Sequence, residues 1–128
     1  MHKLLCIAIG GAVGALARYG LGGLVQRIAG GVLPWGTLAV NLLGSFVIGL
    51  LAAVFSERIV SEPLRIGLLI GVLGAFTTFS TFSLETVQLV QDRQYGWAAA
   101  NVAGSCALGI ALVFAGLFAG RALLGLWK

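Results

Sequence analysis

The sequence predicts an all-α integral membrane protein with four transmembrane helices, and three observations predict it. Charged residues are 9% of the 128 and hydrophobic ones 59%, whereas about a quarter of a soluble domain is charged. A chain so poor in polar groups has no means of covering itself in water, so its solvent is lipid. The few charges also leave long gaps, because residues 28–56, 66–84 and 94–120 hold none. Each gap reaches or nearly reaches the roughly 20 residues that cross a bilayer core. Glycine is the third signal, at 20 residues. Open sheets are unable to span lipid, and the apolar runs are too long for barrel strands, so the spans are helical. A length of 128 residues allows one domain, 1–128.

The first span is expected over Leu4–Val25. "MHK" followed by "LLCIAIGGAVGALA" has the look of a secretory leader, with Ala15 and Ala17 imitating its cleavage site; it is read here as a retained membrane helix. "RIAGGVLP" turns the chain at Gly30, Gly31 and Pro34 into a second span, Trp35–Phe55. "SERIVSEPLR" holds four of the twelve charges and leads to a third, Ile66–Val90. "QDRQYG" is a tight polar hairpin before the fourth, Gly96–Gly120. Gly10 and Gly14, Gly67 and Gly71, and Gly116 and Gly120 are small-xxx-small pairs, which let helix backbones approach closely. Dense packing is expected, between subunits as well as within one. Four helices scarcely surround an aqueous path, so an oligomer is expected too.

With four spans the termini share a side with the middle connector. That side carries Lys3, Arg58, Arg65, Arg121 and Lys128; the other carries Arg27 and Arg93, with Arg18 if it snorkels there. Five against three is a weak bias, compatible with insertion both ways round. The net charge of +4 does not point to nucleic acid, because the basic residues are scattered singly between apolar runs. Cys6 and Cys106 lack metal-ligand spacing and read as small buried hydrophobes.

Catalysis finds no support. The single histidine, His2, sits at the chain end, and Glu85 is the one acid within a span. A nucleophile–base pair would have to rely on His2, and a carboxylate pair cannot be built from one subunit. No glycine-rich phosphate motif ending in Lys is present.

The polar residues inside the spans say more. Thr37, Asn41 and Ser45 recur every four residues on the second helix and form one stripe. Asn101 and Ser105 repeat that spacing on the fourth. Interhelical hydrogen bonding is the structural explanation; for Asn41, central in its span, a place in a pathway is the stronger one. Arg18 and Glu85 are intramembrane charges, and such groups cost several kcal/mol if left unpaired in lipid.

"FTTFSTFS", residues 76–83, interleaves five hydroxyls with three phenyl rings inside an apolar run. β-Branching restricts χ1 and hydroxyls compete for backbone groups, so the stretch weakens a helix. A broken helix is tolerated within a bilayer where it is buried or lines water. Phe79 and Phe82, three apart, project to one side of the chain beyond the break. A phenyl ring has a positive edge, which favours an anion without a fixed charge. Cation filters use carbonyl or carboxylate rings, and neither polar stripe holds a carboxylate. The reading is an ion path at a break in the third helix, with a modest preference for anions.

"GGAVGALARY", "GTLAVNLLG" and "GVLGAFTTFSTFSLE", in spans one to three, resemble the Fluc (CrcB-type) fluoride channel family. The likeness covers the whole chain in length, span count and motif order, and the third motif is very specific. It implies a channel of the cell (inner or plasma) membrane that exports fluoride passively. It also implies an antiparallel, dual-topology homodimer with two pores. Asn41 would donate its amide to the anion, and Phe79 and Phe82 would line the path with ring edges. Thr37, Ser80, Thr81 and Ser83 match polar positions near the pores, Glu85 the acid one turn later, and Arg18 the first-span arginine. Gly74 and Thr77 would hold a structural sodium ion, Na+, through backbone carbonyls at the dimer axis. The fourth span departs from the pattern: some members place Tyr and Ser along the pore where this chain has Trp97 and Asn101, with Ser105 one turn on. The rival is a small four-span proton-coupled exporter of drugs or other cations. That activity requires an acid in the first helix, and here the helix carries only Arg18. A third reading is a non-conducting assembly subunit.

Overall fold

In a solvent that offers no hydrogen bonds, an apolar chain closes its backbone bonds within each segment. The computed structural model describes residues 1–125, so Lys128 lies outside the described residues. Six α-helices and one π-helical segment form four rods: α1 (His2–Ala29), α2 (Trp35–Glu57), a composite third, and α6 (Tyr95–Leu123). The third comprises α3 (Glu62–Ile66), the π-helical segment Gly67–Leu73, α4 (Gly74–Phe76) and α5 (Phe79–Gln91). All four, the third taken as Glu62–Gln91, are long and apolar enough to cross a membrane. At 1.5 Å per residue, even the 23-residue α2 is about 34 Å long.

The helices begin up to four residues before the expected spans and run up to four residues past them, into polar connectors that can complete a last turn. α1 stops where Gly30 and Gly31 take φ values of 60° and 80°, a left-handed geometry that glycine enters without a Cβ clash. Gln26 then reaches over the connector. Its Oε1 accepts the Gly36 N–H at 3.0 Å, and its Nε2 donates to the Leu33 carbonyl at 3.4 Å. An amide of the first turn of α2, which has no helical partner, is satisfied in this way.

The rods alternate in direction. Lys3 Nζ meets Glu62 Oε1 at 2.7 Å, which sets the start of α1 beside the start of the third rod. Gly120 lies against Leu50 and Ala53, so the end of α6 sits beside the end of α2. The N-terminus, the α2–α3 connector and the end of α6 therefore share one side, as four spans require.

All three glycine pairs work within the single chain. A Cβ on Gly10 would stand 2.5 Å from the Gly67 carbonyl oxygen, and one on Gly71 would stand 3.0 Å from that of Ile7. On the other side of the bundle, a Cβ on Gly116 would collide with the carbonyl of Phe46, and one on Gly49 with that of Val113. The obstacles are backbone atoms, which have no rotamer by which to withdraw. Gly49→Ala is therefore expected to destabilise the protein by about 1–3 kcal/mol through overpacking. Gly96→Ala, where nothing lies within 4 Å, is expected to be neutral. Gel filtration after a heating series checks both.

The π winding of Gly67–Leu73 goes beyond what the sequence predicts. π-Helix is rare and commonly occurs as a single wide turn, whereas here it runs for 7 residues. Gly67 and Gly71 both lie buried on the α1 side of this segment. Beyond it the helix ends at Phe76 and resumes at Phe79.

Candidate functional site

Thr77 and Thr78 are extended, with φ/ψ of −82°/157° and −150°/117°. Two extended residues inside an apolar rod strand backbone groups that lipid does not solvate. Side chains take them up. Asn41 Oδ1 accepts the Thr78 N–H at 2.8 Å, and Asn41 Nδ2 donates to the Thr78 carbonyl at 3.0 Å. The carboxamide pairs with the peptide as a neighbouring strand would. Thr78 is also the N-cap of α5, its Oγ1 accepting the Thr81 N–H at 3.3 Å and donating to Thr81 Oγ1 at 2.9 Å. The Thr77 hydroxyl donates back to the Leu73 carbonyl at 3.0 Å. Gly44 makes room for this, since a Cβ there would collide with Thr77 Cγ2.

In an unbroken helix the Gly74 carbonyl would take the Thr78 N–H and the Thr77 carbonyl the Thr81 N–H. The first goes to Asn41 and the second to the Thr78 hydroxyl. Both carbonyls lose their helical donors.

Two cavities flank the Asn41–Thr78 pair. A larger one of about 750 Å³ is lined by Arg18, Gln26, Thr37, Thr81 and Glu85, among others. A smaller one of about 340 Å³ is lined by Asn41, Ser45, Gly74, Thr77 and Phe79. Thr78 lines both. The α2 stripe thus divides, with Thr37 on one side of the partition and Asn41 and Ser45 on the other. The smaller cavity is lined by hydroxyl- and amide-bearing residues, two glycines, aliphatic side chains and a phenylalanine, and no carboxylate lines it.

Thr37 Oγ1 donates to Glu85 Oε1 at 2.7 Å, while Glu85 Oε2 is buried without a partner among the described residues. Arg18 shares the larger cavity with Glu85 but forms no ion pair with it among the described residues. The rings of Phe79 and Phe82 lie 5.6 Å apart, inclined at 44°. Phe82 is 9% exposed, whereas Phe79 is 79% exposed. Ser80, beside it, is exposed too. Ser83 is half-buried and donates to the Phe79 carbonyl at 2.9 Å.

Asn101 and Ser105 line neither cavity of the single chain. Asn101 is 2% exposed, and its Nδ2 donates to Thr86 Oγ1 at 2.9 Å. Ser105 Oγ is buried without a partner among the described residues. Sequence reasoning leaves Thr86 unassigned, and takes Thr78 only as one of the hydroxyls able to cap groups freed by a break. Thr78 lies within the quoted motif, and its place at the centre becomes visible only with the break. Thr86 carries no signal beyond being a hydroxyl one turn after Phe82.

The sequence profile of the family described as "CrcB-like protein, Camphor Resistance (CrcB)" matches residues 5–117. Among curated proteins, the chain is 50% identical to the "Fluoride-specific ion channel FluC" of Geobacter sulfurreducens over 124 residues, 96% of this chain and 100% of that one. It is 49% identical to a protein of that name from Thermus thermophilus, over 98% of this chain and 100% of the relative. A third so named, from Caulobacter vibrioides, is 49% identical over 94% of this chain and 97% of its own length. The profile match over residues 5–117 and identity of about half over nearly the whole length agree: the chain belongs to the CrcB-like family.

Proposed function

We propose that this protein is a fluoride channel giving passive export across the cell membrane. The observation that carries the reading is near-full-length identity of about half to fluoride-specific channels. The geometry fits that activity. Fluoride enters the larger cavity, where Arg18 offers a positive charge among the carboxylates of Glu85 and Asp92. It sheds water at the Asn41–Thr78 partition, where hydroxyls of Thr37 and Thr81 stand on one side and Ser45 on the other. Asn41 Nδ2 spends one hydrogen on the Thr78 carbonyl and retains a second for the anion. The edges of Phe79 and Phe82 then carry positive character without a full charge. Such contacts are weak enough for the ion to leave.

The working unit in this reading is an antiparallel homodimer with two pores, its third helices broken within the membrane. Its support is the exposed face of the break. Phe79, Ser80, Thr81 and Gly74 are exposed in the single chain, and hydroxyls and freed carbonyls are costly against lipid. A second copy covers them. The weak five-to-three bias of basic residues is compatible with both insertions. A sodium ion held by the carbonyls of Gly74 and Thr77 from both subunits supplies positive charge on the axis. The fit rests on those carbonyls having lost their helical donors.

Purified protein in liposomes is expected to release fluoride rapidly, without coupling to protons, as read by a fluoride electrode. Proton-coupled cation exchange would support the exporter, and absence of flux the assembly subunit. Tags on either terminus should label from both sides of intact cells; a uniform orientation would remove the antiparallel dimer.

A further inference from the structure

We infer that Thr86 and Asn101 form a positioning link that sets the rotation of α5, and with it the pose of Phe79 and Phe82. The inference rests on the fluoride-path reading of those rings.

α5 begins after two extended residues, so no continuous helical ladder from α4 fixes its rotation about its own axis. Its N-terminus is pinned at one point, where Thr78 meets Asn41 of α2. A single point leaves rotation open. Two further links supply what is missing. Glu85 is held to α2 by Thr37 at 2.7 Å, and Thr86 is held to α6 by Asn101 at 2.9 Å. Adjacent residues on a helix point about 100° apart. Glu85 and Thr86 therefore reach two different helices in two directions, and a rod held in two directions does not turn.

The Thr86 hydroxyl is used twice. It accepts from Asn101 and donates to the Phe82 carbonyl at 2.7 Å. The chain of bonds runs from a buried amide of α6 to the backbone of the residue whose ring faces Phe79. Asn101 is 2% exposed and Thr86 half-buried, so solvent has little access to the amide. Linked hydrogen bonds in a low dielectric strengthen one another. Asn101 thus acts on the path through α5 and does not line either cavity of its own chain.

Thr86→Val keeps the shape and removes the hydroxyl, leaving the buried Asn101 amide unpaired. Thr86→Ser keeps the bond. The experiment pairs fluoride efflux from liposomes with ¹⁹F NMR of fluorophenylalanine-labelled protein, the Phe82 resonance being assigned by its loss in Phe82→Ile. Thr86→Val is expected to lower efflux about tenfold or more, the scale of one unsatisfied buried polar group. It should also move or split the Phe82 resonance without loss of the dimer peak on gel filtration. Thr86→Ser should restore both readouts. An unmoved resonance in Thr86→Val would overturn the link, as would a dimer that falls apart. Wild-type protein that conducts no fluoride would fail the channel reading, while the resonance would still decide the link.

Discussion

Channels in which Phe79 or Phe82 is replaced by isoleucine are expected to keep their assembly and lose fluoride efflux to the background of empty liposomes. Isoleucine retains much of the apolar bulk and lacks the ring's positive edge. If the rings served only to fill space, the exchange would cost little beyond repacking. The two positions separate these effects. Phe82 is 9% exposed, so its truncation also leaves a cavity and is expected to cost about 1–3 kcal/mol of stability. Phe79 is 79% exposed within its own subunit, and its loss leaves the subunit core untouched. An anion path predicts that both variants stop conducting and that only Phe82→Ile melts earlier. A packing role predicts that efflux follows stability, so Phe79→Ile would conduct normally. Efflux and gel filtration on the same preparations decide between them.

The architecture is legible in the sequence because lipid narrows the choices. Uncharged gaps, a glycine-proline turn, a charged connector and a polar hairpin locate four rods, and the small-xxx-small pairs find the faces that pack. The run from Phe76 to Ser83 points to an interruption through its density of hydroxyls. Three features are not legible, and each depends on how a helix winds or faces its neighbours. "GLLIGVL", residues 67–73, is as apolar as any α-helical stretch, and nothing in it marks π winding. The four-residue spacing of Asn101 and Ser105 suggests path lining. Which neighbour that stripe faces depends on how α6 rolls against α5, and a single-helix period does not contain that information. As a lone central amide, Asn41 points to the anion. The amide also satisfies the peptide exposed by the break, and its geometry matches the Thr78 N–H and carbonyl together.

Removal of sodium, with a large organic cation in its place, is expected to silence fluoride conduction, and added sodium to restore it. The expectation comes from the family resemblance, and the way the break is held supports it. Asn41 takes the amide hydrogen of Thr78 and the Thr78 hydroxyl takes that of Thr81, so the Gly74 and Thr77 carbonyls have no helical donor. Leaving two carbonyls unpaired in an apolar medium costs about 1–3 kcal/mol each on protein-based scales. Two subunits meeting at this face would gather four such oxygens. Carbonyl oxygens are hard ligands suited to a hard alkali cation, and a bulky organic cation, its charge shielded by alkyl groups, does not replace it as a ligand acceptor. Without the cation, four partial negative charges face one another, and the two breaks are expected to separate or re-form helical bonds. Either change moves Thr78 relative to Asn41 and closes the partition between the cavities. Sodium titration of depleted protein, read by both efflux and the Phe82 ¹⁹F resonance, should therefore give one shared midpoint. Depleted protein that conducts at the normal rate would show that the carbonyls are satisfied some other way.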